Sequence, residues 1–554
     1  MAPLRSPGYV GTLVKCTSDC ESRWHRGLLF NSSLEKKRVL LPGTFLLPGK
    51  RTSNRKKDKE ESDMNYYPGK DEIKDILATN PEYKCAPVRC EIMADIRTPI
   101  EVLKIIKGLS THAYILESVE NQDKWGRYTF LGFDPTLEIT YMNGELKISG
   151  EGRNDTFATD DPGRYMREII AEYKSPVIDG MPSFTGGLVG YFAYDYIKHV
   201  EKSLDLECVD EGNFKDCDLM LFDKVIAFDN FKQKIVMVGN VRSDDVENSY
   251  DDTCRALEKI ADIIINGKPV EEPAGRLLSE VKPLFAKEEY CAMVEKAKYH
   301  IKEGDIFQIV LSNRLEADYE GSMLNVYRVL RTLNPSPYMF YFSGTDVEVA
   351  GASPETLVKL DNGKLYTYPL AGTRPRGKTY EEDIALETEL LADEKELAEH
   401  NMLVDLGRND IGKIAKFGSV EVIKYHNIEK FSHVMHIGST VRGEIREDKD
   451  AFDAIDAILP AGTLSGAPKI KACQLINELE KNKRGIYGGA IGYIDFGGNL
   501  DTCIAIRLAY KKNGKIYVRS GAGIVYDSVP EKEYQECINK AAAVVKAIES
   551  ADKL

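Results

Sequence analysis

Two glutamates stand where a carboxylate is costly to keep. In the stretch 371–410, AGTRPRGKTYEEDIALETELLADEKELAEHNMLVDLGRND, helical spacing over 393–406 puts Glu399, Met402, Leu403 and Leu406 on one face. A carboxylate therefore heads an apolar stripe, and a buried carboxylate has to be neutralised, paired or bound to a metal. A helix end with Glu399 paired to Lys395 is the plainer account. The second glutamate is Glu536, one turn from Lys540 beside the stripe Cys537, Ala541, Val544 and Ile548 of a last helix. A surface ion pair satisfies that spacing at little energetic weight. Upstream, however, Ser520, Gly521, Ala522 and Gly523 follow a strand. Glycines there leave backbone N–H groups free to face an anion, which is more than a surface pair needs.

Two further side chains could take part. Arg507 sits in IAIRLA, an apolar strand that would carry a cation inward, either to an acid at a strand edge or as a fork for a carboxylate. His436, in HVMH at 433–436, is one of 8 histidines, and alone it reads equally as a satisfied core residue. The segment GTRPRGKT at 372–379 fits the phosphate-loop expression GxxxxGK[ST], between a strand and a helix. Pro375 removes one of the backbone N–H groups such a loop uses, and the chain does not alternate strands and helices as that fold requires. A nucleotide hydrolase is kept as the alternative from another class.

The elements that must position these groups can be read in order. Strands are expected at 112–118 and 125–132 around the turn ENQDK, in 179–196, and as a hairpin in 223–240. Residues 265–285 collect Pro, Gly and charge and make the best linker. A helix from Lys287 carries Tyr290, Val294, Ala297 and Ile301 at helical spacing. The strand IFQIVLSNRLEA, a helix at 323–333 and the Pro-fixed NPSPYMFYFSG follow. Near the end, Ser528 and Glu531 have the spacing of a capping box with Pro530 in the first turn. GGLVGY at 186–191 echoes GGAIGY at 488–493, glycines that remove side chains where a backbone or ligand comes close, and suggests two related sheet-based halves.

At 554 residues more than one core is expected. A net charge of -14 argues against nucleic acid or an anionic membrane as the main partner, and no apolar run is long enough to span a bilayer. The 11 cysteines form no CxxC pair, which removes the usual zinc and dithiol signatures and points to a reducing compartment. Residues 1–63 are basic and end in a solvated charge run. They read as an extension ahead of Met64, giving a cytoplasmic protein, or as a transit segment, giving a plastid one.

YPLAGTRPRG, KELAEHNMLVDLGRNDIG, VMH, GTLSGAPK, GIYGGAIGY and SGAGIVYDSVPEKEYQECINKA together resemble the chorismate-utilising enzymes, most closely the anthranilate synthase component I group, over about residues 80–550. The resemblance implies an α+β fold of large, mainly antiparallel sheets packed as a sandwich with outer helices. It implies an N-terminal regulatory domain over 64–270 and a chorismate-binding catalytic domain over 285–552. It implies Glu399 and Glu536 as Mg²⁺ ligands, with Glu396 and Glu533 around them, a donor set of hard oxygens that suits this ion. Chorismate would be held by Gly521, Ala522, Gly523 and Lys540 at its ring carboxylate and by Tyr487 and Arg507 at its enolpyruvyl carboxylate, with Gly372 and Thr373 alongside. His436 would give a proton to the departing C4 hydroxyl, with Glu355 and Thr463 nearby.

The implied reaction adds ammonia at C2 as the C4 hydroxyl leaves, giving aminodeoxyisochorismate, then expels pyruvate to leave anthranilate, a step of tryptophan biosynthesis. Ala371 stands where aminodeoxychorismate synthases, the nearer alternative, carry a nucleophilic lysine. The sequence has no GxCxG nucleophile elbow, so a glutamine amidotransferase subunit, in a heterotetramer, is implied as the ammonia source. Glu117, Ser118, Pro337, Tyr338, Met339 and Tyr493 resemble the group's site for feedback inhibition by tryptophan; read alone, the first five are a strand end and a Pro-fixed turn.

Overall fold

Alternation of buried side chains builds the architecture. In the strand Ala113–Glu117, Ala113 and Ile115 belong to one core and Tyr114 to another; in Tyr338–Ser343, Met339 and Tyr341 part from Phe340 and Phe342 in the same way. In Gly187–Phe192, Val189 and Tyr191 join the core of Tyr114 and Phe340, while Leu188 and Phe192 face a third. Successive strand residues point to opposite faces, so one core is shared between two sheets and each sheet has a further core on its outer side. Helices supply those outer layers. Pro99–Lys107, Val246–Asn266, Leu324–Leu333 and Pro530–Ser550 cover one sheet, and Pro162–Ala171, Glu394–Gly412 and Ala451–Ile458 the other. The result is the α+β sandwich that the motifs imply.

The computed structural model describes residues 64–118, 126–204, 206, 208–431 and 434–554. The leader 1–63, the turn ENQDK with Trp125, and His433 lie outside the described residues. Among the described residues one sheet has 13 strands and the other 12. The first runs from Cys85–Met93 to Arg276–Leu277 and the second from Leu370–Pro375 to Arg153–Ala158, so both sheets take strands from 64–270 and from 285–552. The 265–285 stretch is largely irregular, but its short strands Arg276–Leu277 and Lys282–Pro283 pair with Gln308–Glu320. Among the described residues no helix is long and apolar enough to cross a membrane.

The echoed glycine segments are neighbours. Gly187–Phe192 pairs antiparallel with Ala490–Asp495 and sets Gly190 opposite Gly492. A Cβ on Gly190 would stand 2.0 Å from the Asp218 carbonyl oxygen, and one on Gly492 2.0 Å from that of Asp501, so backbone crowding explains both glycines.

One polar knot ties helix to sheet beneath the first core. Glu348 accepts from Lys107 Nζ (3.2 Å), Ser322 Oγ (3.0 Å) and the Tyr341 hydroxyl, and Lys511 Nζ is 2.9 Å away. Burial pushes its pKa up, but Lys107 and Lys511 outweigh this and take it from 4.5 down to about 2. A depressed carboxylate contributes stability that is complete above its unfolded pKa and is lost as pH falls through the folded value. We expect Glu348→Gln to cost about 1.5–3 kcal/mol at neutral pH, since it removes the carboxylate partner of half-buried Lys511 and one of the two that Lys107 has, Glu272 being the other. In urea titrations the gap to the wild type should close between pH 4.5 and 2. A constant gap across that window would refute this account.

Candidate active site

Glu399 projects from the first half of the helix Glu394–Gly412, whose start is fixed by Asp393 accepting from the N–H groups of Lys395 and Glu396. The side chains that this helix buries are His400, Leu403, Val404, Asp410 and Ile411. The expected stripe is thus displaced: Leu403 is in it, Met402 and Leu406 are only half-buried, and Glu399 lies at its border. That border is the wall of a cavity of ≈ 640 Å³, and Glu536, from the helix Pro530–Ser550, lines the same cavity. This last helix begins without the expected capping box. Val529 is its N-cap, and the Ser528 hydroxyl instead accepts from Val525 N.

Like charges crowd this wall. Burial raises the Glu399 pKa, the Glu396 and Glu536 carboxylates raise it further, and Lys395 and Lys540 oppose them. Burial also raises Glu533, beside Glu536. Lys540 Nζ bridges Glu536 Oε1 (2.7 Å) and the Gly521 carbonyl (3.1 Å). Among the described residues no group of three or more His, Cys, Asp or Glu side chains forms a metal cage. Two carboxylates that repel one another across an open cavity fit a hard divalent cation that keeps most positions for water and ligand, which is the habit of Mg²⁺.

Opposite lies an open sheet edge. Ser520 to Gly523 fall inside the strand Lys515–Ile524 rather than in a loop after it. The neighbour Leu508–Lys512 stops pairing at Val518, so beyond that point this strand is laddered only to Gln308–Glu320. Gly521 and Gly523 line the cavity; a Cβ on Gly521 would stand 2.8 Å from the Leu311 carbonyl oxygen and from the Tyr487 hydroxyl, so that position must be small, whereas one on Gly523 would meet only the end of the Gln308 side chain, at 2.8 Å. Ala522 does not line it. Strand alternation turns its side chain into the core with Tyr290 and Leu311, so any contact it makes with a ligand falls to its backbone.

Arg507 is not within a strand. It occupies the turn between Leu500–Ile504 and Leu508–Lys512 with φ 54°, a left-handed conformation costly for a side chain of this size. Burial lowers its pKa, Tyr487 partly opposes this, and among the described residues no carboxylate contributes to it. A desolvated guanidinium facing a cavity calls for an anionic ligand.

On the third side, Leu370–Pro375 pairs with Val434–Glu444 through a register shift at Gly372, whose φ is 64°. The shift sets Thr373 opposite His436, and His436 Nδ1 lies 2.9 Å from the Gly372 carbonyl and 3.1 Å from Thr373 Oγ1. A carbonyl only accepts, so Nδ1 carries the proton and Nε2 is left for exchange. Burial lowers the His436 pKa, and Arg507 lowers it further. Glu355 accepts from the Thr463 hydroxyl at 3.0 Å; burial pushes its carboxyl up to about 7, against Thr463 and Lys540. Two proton-exchanging groups of opposite type thus border one space.

Gln308, Lys395, Lys532 and Arg519 also line the cavity and carry no sequence signal of doing so. Arg519 is fixed by Glu480, itself bound to Arg484 one turn further on, and all three are buried. The phosphate-loop reading fails on contacts. Gly377 N donates to Asp383 Oδ1 (2.8 Å), Arg376 forks onto the same carboxylate, and Arg374 bonds Glu389 and Asp393. Acids from the following helices occupy the place where a phosphate would sit.

A second pocket of ≈ 100 Å³ gathers Glu117, Ser118, Pro337, Tyr338, Met339 and Tyr493. The ladder Met339↔Glu117 brings the first two segments together, and Tyr493 comes from the other sheet. Glu117 accepts from Arg331 Nη2 at 2.9 Å and from the Tyr327 hydroxyl. The Tyr338 hydroxyl meets Asp501 Oδ1 at 2.9 Å and Thr356 Oγ1 at 3.0 Å.

Residues 112–546 match the family described as chorismate binding enzyme. The chain is 46% identical over 498 residues to anthranilate synthase component 1 of Acetivibrio thermocellus, covering 88% of this chain and 100% of that one. It is 44% identical over 491 residues to the protein of the same name from Aquifex aeolicus, covering 87% and 98%. It superposes on the crystal structure of anthranilate synthase component I from Streptococcus pneumoniae with a TM-score of 0.69 and 40% identity, over 82% of this chain and 98% of that one. Against the menaquinone-specific isochorismate synthase of Escherichia coli the TM-score is 0.62 at 18% identity, over 86% and 98%, a likeness of fold alone.

Proposed function

The chain belongs to the chorismate binding enzymes, and we propose that it is the large subunit of an anthranilate synthase, converting chorismate and ammonia to anthranilate and pyruvate. The observation that carries this reading is the convergence of Glu399, Glu536, Arg507, His436 and a glycine-lined sheet edge on a single cavity. A small dianion with two separated carboxylates matches it. One carboxylate meets Arg507 and Tyr487; the other meets the Gly521 and Gly523 edge and Lys540. Mg²⁺ held by Glu399 and Glu536 would supply positive charge for that second carboxylate. Lys540, already between Glu536 and Gly521, orients it.

With the ring so held, ammonia bonds to C2, the ring double bonds shift, and the C4–O bond breaks. His436, whose Nδ1 proton is anchored on Gly372, passes a proton from Nε2 to the departing hydroxyl, which leaves as water. Glu355, held by Thr463 and near neutrality in pKa, takes the proton that the added amine sheds. The C2–H bond then breaks, its electron pair completes the aromatic ring as the C3–O bond breaks, and the proton ends on the enolpyruvyl methylene, so that the side chain leaves as pyruvate. Ala371 lines the cavity with no amine to attack the ring, which favours this chemistry over the lysine-dependent synthase. The test is direct: the chain with chorismate, Mg²⁺ and ammonium should develop anthranilate fluorescence, and glutamine should replace ammonium only when an amidotransferase subunit is added. No anthranilate from ammonium would refute the proposal.

We assign the second pocket to tryptophan as a feedback inhibitor. Aromatic walls from Tyr128, Phe130 and Tyr493 suit an indole, and Glu117 suits an α-ammonium group. Glu117→Gln should raise the half-inhibitory tryptophan concentration about 10–100-fold, the worth of one hydrogen bond to a charged group, with the chorismate KM unchanged. Unaltered inhibition in titrations of activity against tryptophan would remove Glu117 from that role.

A further inference from the structure

The arginine-rich segment that mimics a phosphate loop makes contacts that end at His436. Arg376 forks onto Asp383, from the helix Tyr380–Ala392, with Nε 3.0 Å from Oδ1 and Nη2 2.9 Å from Oδ2. Its remaining terminal nitrogen, Nη1, donates to the Phe431 carbonyl at 2.6 Å. One residue earlier in the chain, Lys430 Nζ lies 2.8 Å from Glu387 Oε2 and 3.4 Å from Asp383 Oδ2, both on the same helix. Phe431 N donates to the Val434 carbonyl at 2.8 Å. The backbone at Phe431 is thus gripped by that helix and its preceding loop on one side and by the start of the strand Val434–Glu444 on the other. The Phe431 ring packs edge-to-face on the His436 imidazole, with centroids 5.5 Å apart and planes at 66°.

We propose that Phe431 and Arg376 are positioning residues for His436: the phenyl ring stops the imidazole from swinging, and Arg376 holds the phenyl ring where it can do so. The inference rests on the anthranilate synthase reading above, in which His436 gives its proton to the departing hydroxyl. Among the described residues His436 is hydrogen-bonded only at Nδ1, by the Gly372 carbonyl and the Thr373 hydroxyl. An anchor at one ring nitrogen is a pivot, and it leaves Nε2, the atom that must meet the hydroxyl, free to sweep. A second contact on the ring removes that freedom. A phenyl group suits the task because it competes for no proton and its edge-to-face contact has a preferred geometry. His436 lines the large cavity and Phe431 is not among its walls, so the phenyl ring meets the imidazole from outside the ligand space. The type of residue at 376 follows as well. A guanidinium takes both oxygens of Asp383 and still has a nitrogen for the Phe431 carbonyl in one rigid plane, which an ammonium on a flexible stem does not reproduce.

A double-mutant cycle separates positioning from general damage. Phe431→Ala should lower kcat with ammonium about 10–100-fold, the cost of a reacting group displaced by up to about an ångström. The chorismate KM should stay within about twofold, since no contact to the ligand is lost. Phe431→Tyr, which keeps the ring, should restore most of the rate. Arg376→Lys should lower kcat in the same direction with the same unchanged KM, which guards against one variant failing to fold. In a His436→Gln background neither Phe431→Ala nor Arg376→Lys should reduce the remaining kcat by more than about twofold, because groups that act as a unit do not add. Equal fold-losses with and without His436 overturn the proposal, as does a Phe431→Ala chain with wild-type kcat or with a chorismate KM that rises in step with the lost rate. A wild-type chain that makes no anthranilate from ammonium would instead defeat the functional reading, so the two failures are distinguishable.

Discussion

His436→Gln should lower kcat with ammonium by about 10²–10⁴-fold, the usual worth of a positioned proton donor, while the chorismate KM moves by less than a few fold. Glutamine can still donate to the Gly372 carbonyl, so the local pairing of Leu370–Pro375 with Val434–Glu444 survives and only the exchangeable proton is lost. The split between kcat and KM matters. Arg507 and the glycine edge hold the ligand, whereas His436 is asked to act only as the C4–O bond breaks, so its contribution belongs to the transition state. A variant retaining more than a fifth of the wild-type kcat would show that the hydroxyl leaves without this imidazole. The charge balance argues against that outcome. Burial and Arg507 both disfavour imidazolium in the empty site, and a bound dianion reverses that bias, which arms the donor only when substrate is present.

Glu399→Gln should reduce anthranilate formation by about 10²–10³-fold at millimolar Mg²⁺, a loss comparable to removing one fixed electrostatic contact from a transition state. Its second readout is independent of turnover. Calorimetric titration should show Mg²⁺ affinity reduced at least 10–100-fold, the loss typical of a group that merely orients a metal ligand. Thermal unfolding separates this from a structural role. Glu399 is pushed toward protonation by burial, Glu396 and Glu536, so neutralising it relieves repulsion, and the variant in chelator should melt no lower than the wild type in chelator. Mg²⁺ should then raise the wild-type midpoint and not that of the variant. A variant that melts lower in chelator, or that binds Mg²⁺ as before, would remove Glu399 from the metal site.

Much of this was legible in the residue order. Helical spacing marked Glu399 and Glu536 as carboxylates beside apolar stripes, the glycine echo marked crowded strands, and Pro375 spoke against a phosphate loop. Each rests on local geometry, where period, proline and glycine act through the nearest few residues. Local rules also misled where a neighbour from elsewhere intervened. The spacing of Ser528 and Glu531 suggested a capping box, but Ser528 is spent on Val525 N. The apolar flanks of Arg507 suggested a strand, but the chain turns there with a positive φ. Ser520 to Gly523 looked like a turn following a strand, yet they lie within the strand Lys515–Ile524.

By itself the sequence determined the classes of element, the motifs that align this chain with one family, and which side chains have chemistry worth asking about. Only the tertiary structure decided that Glu355, Glu399, His436, Arg507 and Glu536 share one cavity, that Gln308 and Arg519 join them, and that Phe431 packs on the His436 imidazole. The physical reason is the antiparallel pairing of strands far apart in the chain. Register between Gln308–Glu320 and Lys515–Ile524, or between Leu370–Pro375 and Val434–Glu444, is set by which faces two sheets can bury against each other, and no window of neighbouring residues contains that information.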